Sequence, residues 1–427
     1  MTRGLPRLPW GSQVRAPRVA PAILRSRALF SLSVFLVLVT VLSPPLPLRL
    51  PFGGPTEWGS AGRVYAGPYD RPGRPSVSCY AAVLMEWQTG TLLYQKNGFV
   101  RMHPASVTKM MTALLALENG RLEDLVTVSA EAAGQVGSSM YLKAGDVYTL
   151  EDLLYGLMLN SGNDAAWAIA EHIGGTAKAF FEMMNERARS IGAINTQFQN
   201  PHGLTDPNHY TTAFDLALIA RTCLKHPFFR RLVATREKDV IDADGRVKSQ
   251  LANTNRLLWL YLGADGVKTG TTEAAGQCLV ASATRGDTRL LSVVLASHDR
   301  WADSATLLDY GFNNFRVARL AQAGETLLEL PCEGAIQKKV PVIAKTDLLC
   351  CVPRNSTGLD LRFELPDKVG PCRGGTVIGR ALVFLGKDVV GRADLATGEW
   401  VLPKSPISLV ARAASWITRR AVRMGVF

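Results

Sequence analysis

The sequence predicts an α+β protein: an antiparallel sheet flanked by helices, then a small all-β domain, then a C-terminal amphipathic helix. Three observations carry this. Helical runs stand between outer hairpin-forming strands with no βαβ alternation, which excludes a parallel doubly wound sheet. Beyond about residue 317 the chain turns into short β-rich runs punctuated by Gly and Pro, with hardly any helical period. The last segment, SPISLVARAASWITRRAVRMGVF, returns to helical spacing.

Taken in order, residues 1–27 hold six arginines and no acid, and ALFSLSVFLVLVTVLS (28–43) is an uncharged apolar run. A basic n-region before an apolar h-region reads as an export signal, so 1–43 is expected to be a signal peptide or a signal anchor. A small-residue cleavage site could end at Ala66, far from the apolar run, and both outcomes stay open. Residues 44–77 contain eight prolines and are read as a Pro/Gly-rich tether. A globular domain is expected over 78–317. AAVLMEW and TLLYQKN around QTG read as a hairpin, and QCLVASAT and TRLLSVVLAS around RGD as a second. Helical patterns occupy 105–119, 150–160, 163–173 and 176–191. Residues 318–403 are expected to form a small β-sandwich-like domain. In 404–427, Arg412, Ser415, Arg419 and Arg423 share one helical face and Leu409, Ala413, Trp416, Ile417, Met424 and Phe427 mostly another. A basic amphipathic helix of this kind suits a membrane surface. A terminal helix docked on the β domain is the alternative.

The chain has 427 residues, 47% hydrophobic and 20% charged, enough for two or three domains. Of its net charge of +12, six units sit in 1–27 and five in 404–427, so the middle is nearly neutral. Charge confined to two tails favours a membrane surface and gives no support to nucleic acid as a partner. The seven cysteines are scattered, with no Cys-x-x-Cys. Cys79, Cys223 and Cys278 lie in apolar surroundings and read as buried thiols; a disulfide among Cys332, Cys350, Cys351 and Cys372 is left open. The six histidines form no His-Glu-x-x-His, and no metal or cofactor is expected. His202 and His209 fall in a loop rich in Asn, Pro and Gly and are expected to hold it by hydrogen bonds.

Three triplets carry the chemistry. HPASVTKMMTALLALE (103–118) places Ser106 three residues before Lys109 at the head of a helix too apolar to be exposed. Ser106 then lies in the first turn, where free N–H groups favour negative charge. Lys109 lies nearly one turn on, on the same side. A serine alkoxide needs a base within reach, and lysine serves only if burial lowers its pKa. Ser161-Gly162-Asn163 sits at a break between two helical runs, offering a hydroxyl for proton relay and an amide for a substrate carbonyl. Lys268-Thr269-Gly270 leads into an apolar strand; a P-loop is excluded because Val267 precedes the lysine. Lys268 and Thr269 could bind an anionic substrate terminus while Gly270 permits close approach. Each triplet alone is commonplace. The three in this order, each in the local structure its role requires, are not.

Ser-x-x-Lys, Ser-x-Asn and Lys-Thr-Gly are the signatures of penicillin-binding proteins and serine β-lactamases. The surroundings, including GSSMYLKAGDVYTLEDLLYGLMLNSGNDAA, NPHGLTDPNHYTTAFDLA and GADGVKTGTTEAAGQCLVASA, resemble the D-alanyl-D-alanine carboxypeptidases of low molecular weight over 78 to about 317. The resemblance implies a β-lactamase/transpeptidase-like fold and removal of the terminal D-alanine from peptidoglycan stem peptides ending in D-Ala-D-Ala, with β-lactams as covalent inhibitors. It makes Ser106 the nucleophile, Lys109 the general base and Ser161 the proton relay. Asn163 would position the peptide, Lys268 and Thr269 would bind its carboxylate, and the N–H groups of Ser106 and Thr271 would form the oxyanion hole. Arg300, in SHDRW, would assist with the carboxylate. Thr271 departs from the His, Tyr or Phe often found there. The enzyme is expected outside the cytoplasm, on the outer face of the cytoplasmic membrane. A β-lactamase is the nearest rival, but NTQFQNPHGLTD lacks a glutamate to activate deacylating water, and a β domain and tail have no place in a compact lactamase. A non-catalytic penicillin- or peptidoglycan-binding protein is the rival of a different class.

Overall fold

A computed structural model describes residues 74–241 and 247–404. The expected export signal, most of the tether and the basic C-terminal helix lie outside the described residues.

The first domain is organised around a five-stranded antiparallel sheet in the order β2-β1-β9-β8-β7. Its strands are β1 (Ala81–Glu86), β2 (Leu92–Lys96), β7 (Ala264–Thr272), β8 (Gly276–Arg285) and β9 (Thr288–Ser297). Both expected hairpins form, β1 with β2 and β8 with β9. Strand β1 is buried at every position, because both faces of the sheet are covered. Alternation sorts its side chains: Ala81, Val83 and Met85 join the larger core with Val280, Leu291, Val293 and Leu295. Ala82 and Leu84 join Leu279, Ala281 and Val294 on the opposite face.

Helix α1 (Lys109–Asn119) runs through the larger core, buried from Lys109 to Ala116. The helix predicted from residue 105 begins as a 3₁₀ turn, Ala105–Thr108, and becomes α-helical only at Lys109. Around α1 pack α2 (Leu150–Met158), α3 (Asn163–Gly174), α4 (Ala177–Ile191), α5 (Ala213–Cys223) and α6 (Pro227–Ala234). Their starts are set locally: Thr149, Thr176 and Thr212 accept from the N–H three residues on, capping α2, α4 and α5. Two small two-stranded sheets, β3 (Leu125–Thr127) with β4 (Val147–Thr149) and β5 (Glu237–Ile241) with β6 (Val247–Ala252), complete this side. Helix α7 (Arg300–Asn314) covers the other face with Leu307, Leu308 and Phe312.

Strand β10 (Phe315–Ala321) follows α7 without a linker. It opens a seven-stranded sheet with β11 (Thr326–Pro331), β12 (Lys339–Ala344), β13 (Leu348–Pro353), β14 (Leu359–Glu364), β15 (Val377–Leu385) and β16 (Asp388–Thr397). The strands hydrogen-bond continuously, with β16 shared between β12, β13 and β15. Val342, Cys350, Val383 and Leu395 lie in its core. The change comes about three residues earlier than the sequence suggests. Phe315 packs under α7 while Ala321, six residues on, faces the second core. Cys79, Cys223 and Cys278 are buried free thiols, and no disulfide forms among the described cysteines.

Candidate active site

The site is built where the 3₁₀ turn, the start of α3 and the free edge of β7 converge. Ser106 lies inside the 3₁₀ turn, partly exposed. Ala105 before it holds a left-handed conformation, φ +50°, a strain that persists only when the surroundings fix it. They do so from two sides. A Cβ on Gly203 (φ +95°) would lie 1.9 Å from the Ala105 carbonyl oxygen. A Cβ on Gly270 would lie 2.9 Å from the Ser106 nitrogen. What Gly270 admits here is the nucleophile's own backbone.

Lys109, in the first turn of α1, is fully buried. Its Nζ donates to Ser106 Oγ at 3.1 Å, to Asn163 Oδ1 at 2.7 Å and to the His202 carbonyl at 2.9 Å. Burial holds its pKa well below the ordinary 10.5; the charge of Lys268 adds to this and Asp164 opposes it. Lys268, on β7, is equally buried, and burial with the nearby Arg300 lowers its pKa to about 7. Neither lysine has a salt-bridge partner among the described residues. A buried lysine without one is rare, which makes both lysines candidate functional groups.

Asn163 opens α3. Its amide is held at both ends, Oδ1 by Lys109 and Nδ2 by the Val136 carbonyl. Ser161, at φ +61°, is buried two residues earlier, in the same wall. Its hydroxyl forms no hydrogen bond among the described residues, so the structure does not join it to Ser106 or Lys109. Thr269 shares a hydroxyl contact of 2.7 Å with Thr254, and its carbonyl accepts from Lys268 Nζ at 3.1 Å. Arg300, first residue of α7, donates through Nη1 to the Gly270 carbonyl at 2.9 Å and to Thr271 Oγ1 at 2.8 Å. Its Nε is buried without a hydrogen-bond partner among the described residues. Arg300 is thereby fixed at the end of the Lys-Thr-Gly edge, where Thr271 is exposed.

Three contributors escape the sequence reading. The His202 carbonyl is an acceptor for the lysine, and a main-chain role leaves no mark on residue type. Asp164 accepts from Ser139 Oγ and from the N–H groups of Met140 and Leu142, fixing the strand of chain beside Asn163. Its signal was the acid directly after Ser-x-Asn. Thr254, which holds Thr269, lies in a loop that carries no motif. The two loop histidines do hold their loop. The Gln199 N–H donates to His209 Nδ1, so Nε2 carries the proton toward Thr108 Oγ1 at 2.9 Å. Thr108 in turn donates to the Ala105 carbonyl. Burial pushes His209 down to about 4 and His202 to about 3, keeping both neutral. Among the described residues no cluster of His, Cys, Asp or Glu could hold a metal ion.

Residues 69–299 match the family model of D-alanyl-D-alanine carboxypeptidase, and 315–401 that of the C-terminal domain of penicillin-binding protein 5. The chain is 34% identical to the D-alanyl-D-alanine carboxypeptidase DacF of Bacillus subtilis over 330 residues, 75% of this chain and 85% of that one. It is 35% identical to DacC of Escherichia coli K12, over 71% of this chain and 80% of the relative. The solved structure of penicillin-binding protein 5 from Haemophilus influenzae superposes with a TM-score of 0.69 at 32% identity, covering 78% of this chain and all of that one.

Proposed function

The chain belongs to the D-alanyl-D-alanine carboxypeptidase family, and from that premise we propose how its own residues carry out the reaction. It is a serine-type hydrolase of that family, acting through an acyl-enzyme. The observation that supports the assignment of roles is Lys109: fully buried, without a salt bridge, its pKa depressed, and 3.1 Å from Ser106 Oγ.

In this reading the peptide's terminal carboxylate lies against Lys268, Thr269 and Arg300. Its negative charge restores the Lys268 proton that burial weakens. Neutral Lys109 takes the proton of Ser106 as Oγ attacks the carbonyl carbon of the penultimate D-alanine. The oxyanion is held by the N–H groups of Ser106 and Thr271. The C–N bond then breaks, and the proton passes through Ser161 to the departing D-alanine nitrogen. Asn163, anchored at both amide ends, aligns the acyl chain. Water, activated by the same lysine, hydrolyses the ester and restores Ser106. A β-lactam acylates Ser106 by the same attack and stays, because its opened ring retains the leaving group.

We further place the enzyme on the outer face of the cytoplasmic membrane, exported by 1–43 and held at the surface by 404–427. The charge pattern of the two tails supports this.

The test is release of D-alanine from a diacetyl-Lys-D-Ala-D-Ala peptide by the purified protein, lost in Ser106→Ala. Fast nitrocefin turnover would favour a β-lactamase. A protein that binds penicillin but releases no D-alanine would be the non-catalytic rival.

A further inference from the structure

Arg300 reaches the Lys-Thr-Gly edge from the first residue of α7, so it is only as fixed as the start of that helix. Two acids hold this start. Asp299 caps it, its carboxylate accepting from the N–H groups of Trp301 and Ala302 at 3.0 and 3.1 Å. One turn on, Asp303 is buried, and its carboxylate accepts four hydrogen bonds from outside α7. The Ser78 N–H donates to Oδ1 at 2.7 Å. The Ser78 hydroxyl, the Cys79 N–H and the Ser297 hydroxyl donate to Oδ2 at 2.8, 2.8 and 2.6 Å. Burial alone would raise the Asp303 pKa, but these donors outweigh it and hold the carboxyl below its ordinary 3.8. Bonds of this length to an ionised carboxylate are the strong kind.

The donors come from two strands. Ser297 is the last residue of β9, after Ala296 at φ +48°. Ser78 and Cys79 lie just before β1, which pairs with β9. Only His298 and Asp299 link Ser297 to α7. That short link fixes where the helix begins but not its rotation about its own axis. The Asp303 carboxylate supplies the second point of attachment.

We propose that Asp303 is a positioning residue for Arg300: it locks the rotation of α7 against β1 and β9, so that the guanidinium meets the substrate carboxylate with its place already set. Residues three apart on a helix share a side, so a rotation of α7 that freed Asp303 would swing Arg300 by the same angle. Arg300 Nη1 would then leave the Gly270 carbonyl (2.9 Å), Thr271 Oγ1 (2.8 Å) and the Cys278 carbonyl (3.3 Å). Asp303 touches no substrate in this assignment, which rests on the reading of Arg300 as a carboxylate contact given above.

Asp303→Asn tests this, because an amide cannot accept from both backbone donors: its NH2 group must face the N–H of either Ser78 or Cys79. Ser297→Ala removes a single donor, keeps the carboxylate, and carries the test alone if the first variant fails to fold. Each is made in the unchanged enzyme and with Arg300→Ala, and kcat and KM for diacetyl-Lys-D-Ala-D-Ala are measured below every melting transition. Asp303→Asn should raise KM roughly tenfold, the scale of one charge-assisted contact, with kcat nearly held, as lost ground-state binding requires. Ser297→Ala should raise KM about threefold, the same loss in smaller measure. With Arg300→Ala already present, neither should move KM further, although the melting midpoint falls equally in both backgrounds. Effects on KM that multiply with that of Arg300→Ala, or a fall in kcat alone, overturn the assignment and leave Asp303 a structural clasp. If the unchanged enzyme releases no D-alanine, the reading of Arg300 fails and this assignment with it, a result distinct from multiplied effects in an active enzyme.

Discussion

Two buried lysines lie near enough for the charge of Lys268 to act on Lys109, and their proposed titrations oppose. In its proposed role Lys109 must be neutral to accept a proton, so activity should fall as pH drops through its lowered pKa. Lys268 must in its proposed role be charged to hold a carboxylate, so kcat/KM, which reports the free enzyme, should fall as pH rises through about 7. Lys268→Arg, whose charge persists, should move that alkaline limb upward. A limb that stays near 7 in the variant would assign it to another group. At this scale much of the site was legible. Ser106, Lys109, Asn163, Lys268 and Thr269 announce themselves as candidates by residue type and spacing; so does Ser161, though no hydrogen bond among the described residues joins it to the others. The His202 carbonyl and the Asp164 clamp do not, since one is main chain and the other acts on main chain.

The turn bearing Ser106 depends on what presses against it. The Gly203 loop meets Ala105 so closely that a methyl group would overlap its carbonyl oxygen, and φ there is already positive. Gly203→Ala should therefore cost about 3 kcal/mol or more, from overlap and left-handed strain together. It should also slow acylation by displacing Ser106. Denaturant melts and penicillin-labelling rates check both; a variant as stable and reactive as the parent would refute the wedge. Helices and hairpins were readable from periodicity, because α1 is apolar on more than one face and β8–β9 is two apolar runs about Arg-Gly-Asp. The 3₁₀ opening at Ala105–Thr108 was not, because it is imposed by contacts from residue 203 and residue 270.

Across the molecule the two β systems are joined by α7 and β10 without a spacer. Phe315 and Cys351 of the second domain share a cluster with Leu84, Leu308 and Phe312 of the first. Arg354 donates to the Phe312 carbonyl across the same junction. Phe315→Ala should cost on the order of 3 kcal/mol and lower the thermal midpoints of D-alanine release and of β-domain melting together. A shift in one alone would show that the domains unfold independently. The change of texture near residue 317 revealed a second domain, but not that its first strand is welded to the first. That weld depends on where one phenylalanine points.

The wedge of Gly203 and Gly270 about Ser106 has a consequence for the order of events in biosynthesis. Ser106 and Lys109 leave the ribosome early. The glycine that seats the turn from β7 comes some 160 residues later, together with the lysine that receives the carboxylate. Until β7 docks on β8, the Ser106 turn lacks the Gly270 backbone that presses against it in the folded protein. The chain is thus expected to be unreactive before the sheet closes, with reactivity toward a fluorescent penicillin switching on at that closure. Labelling during refolding should therefore lag the appearance of helical signal. Labelling that kept pace with helix formation would mean the turn is seated without β7.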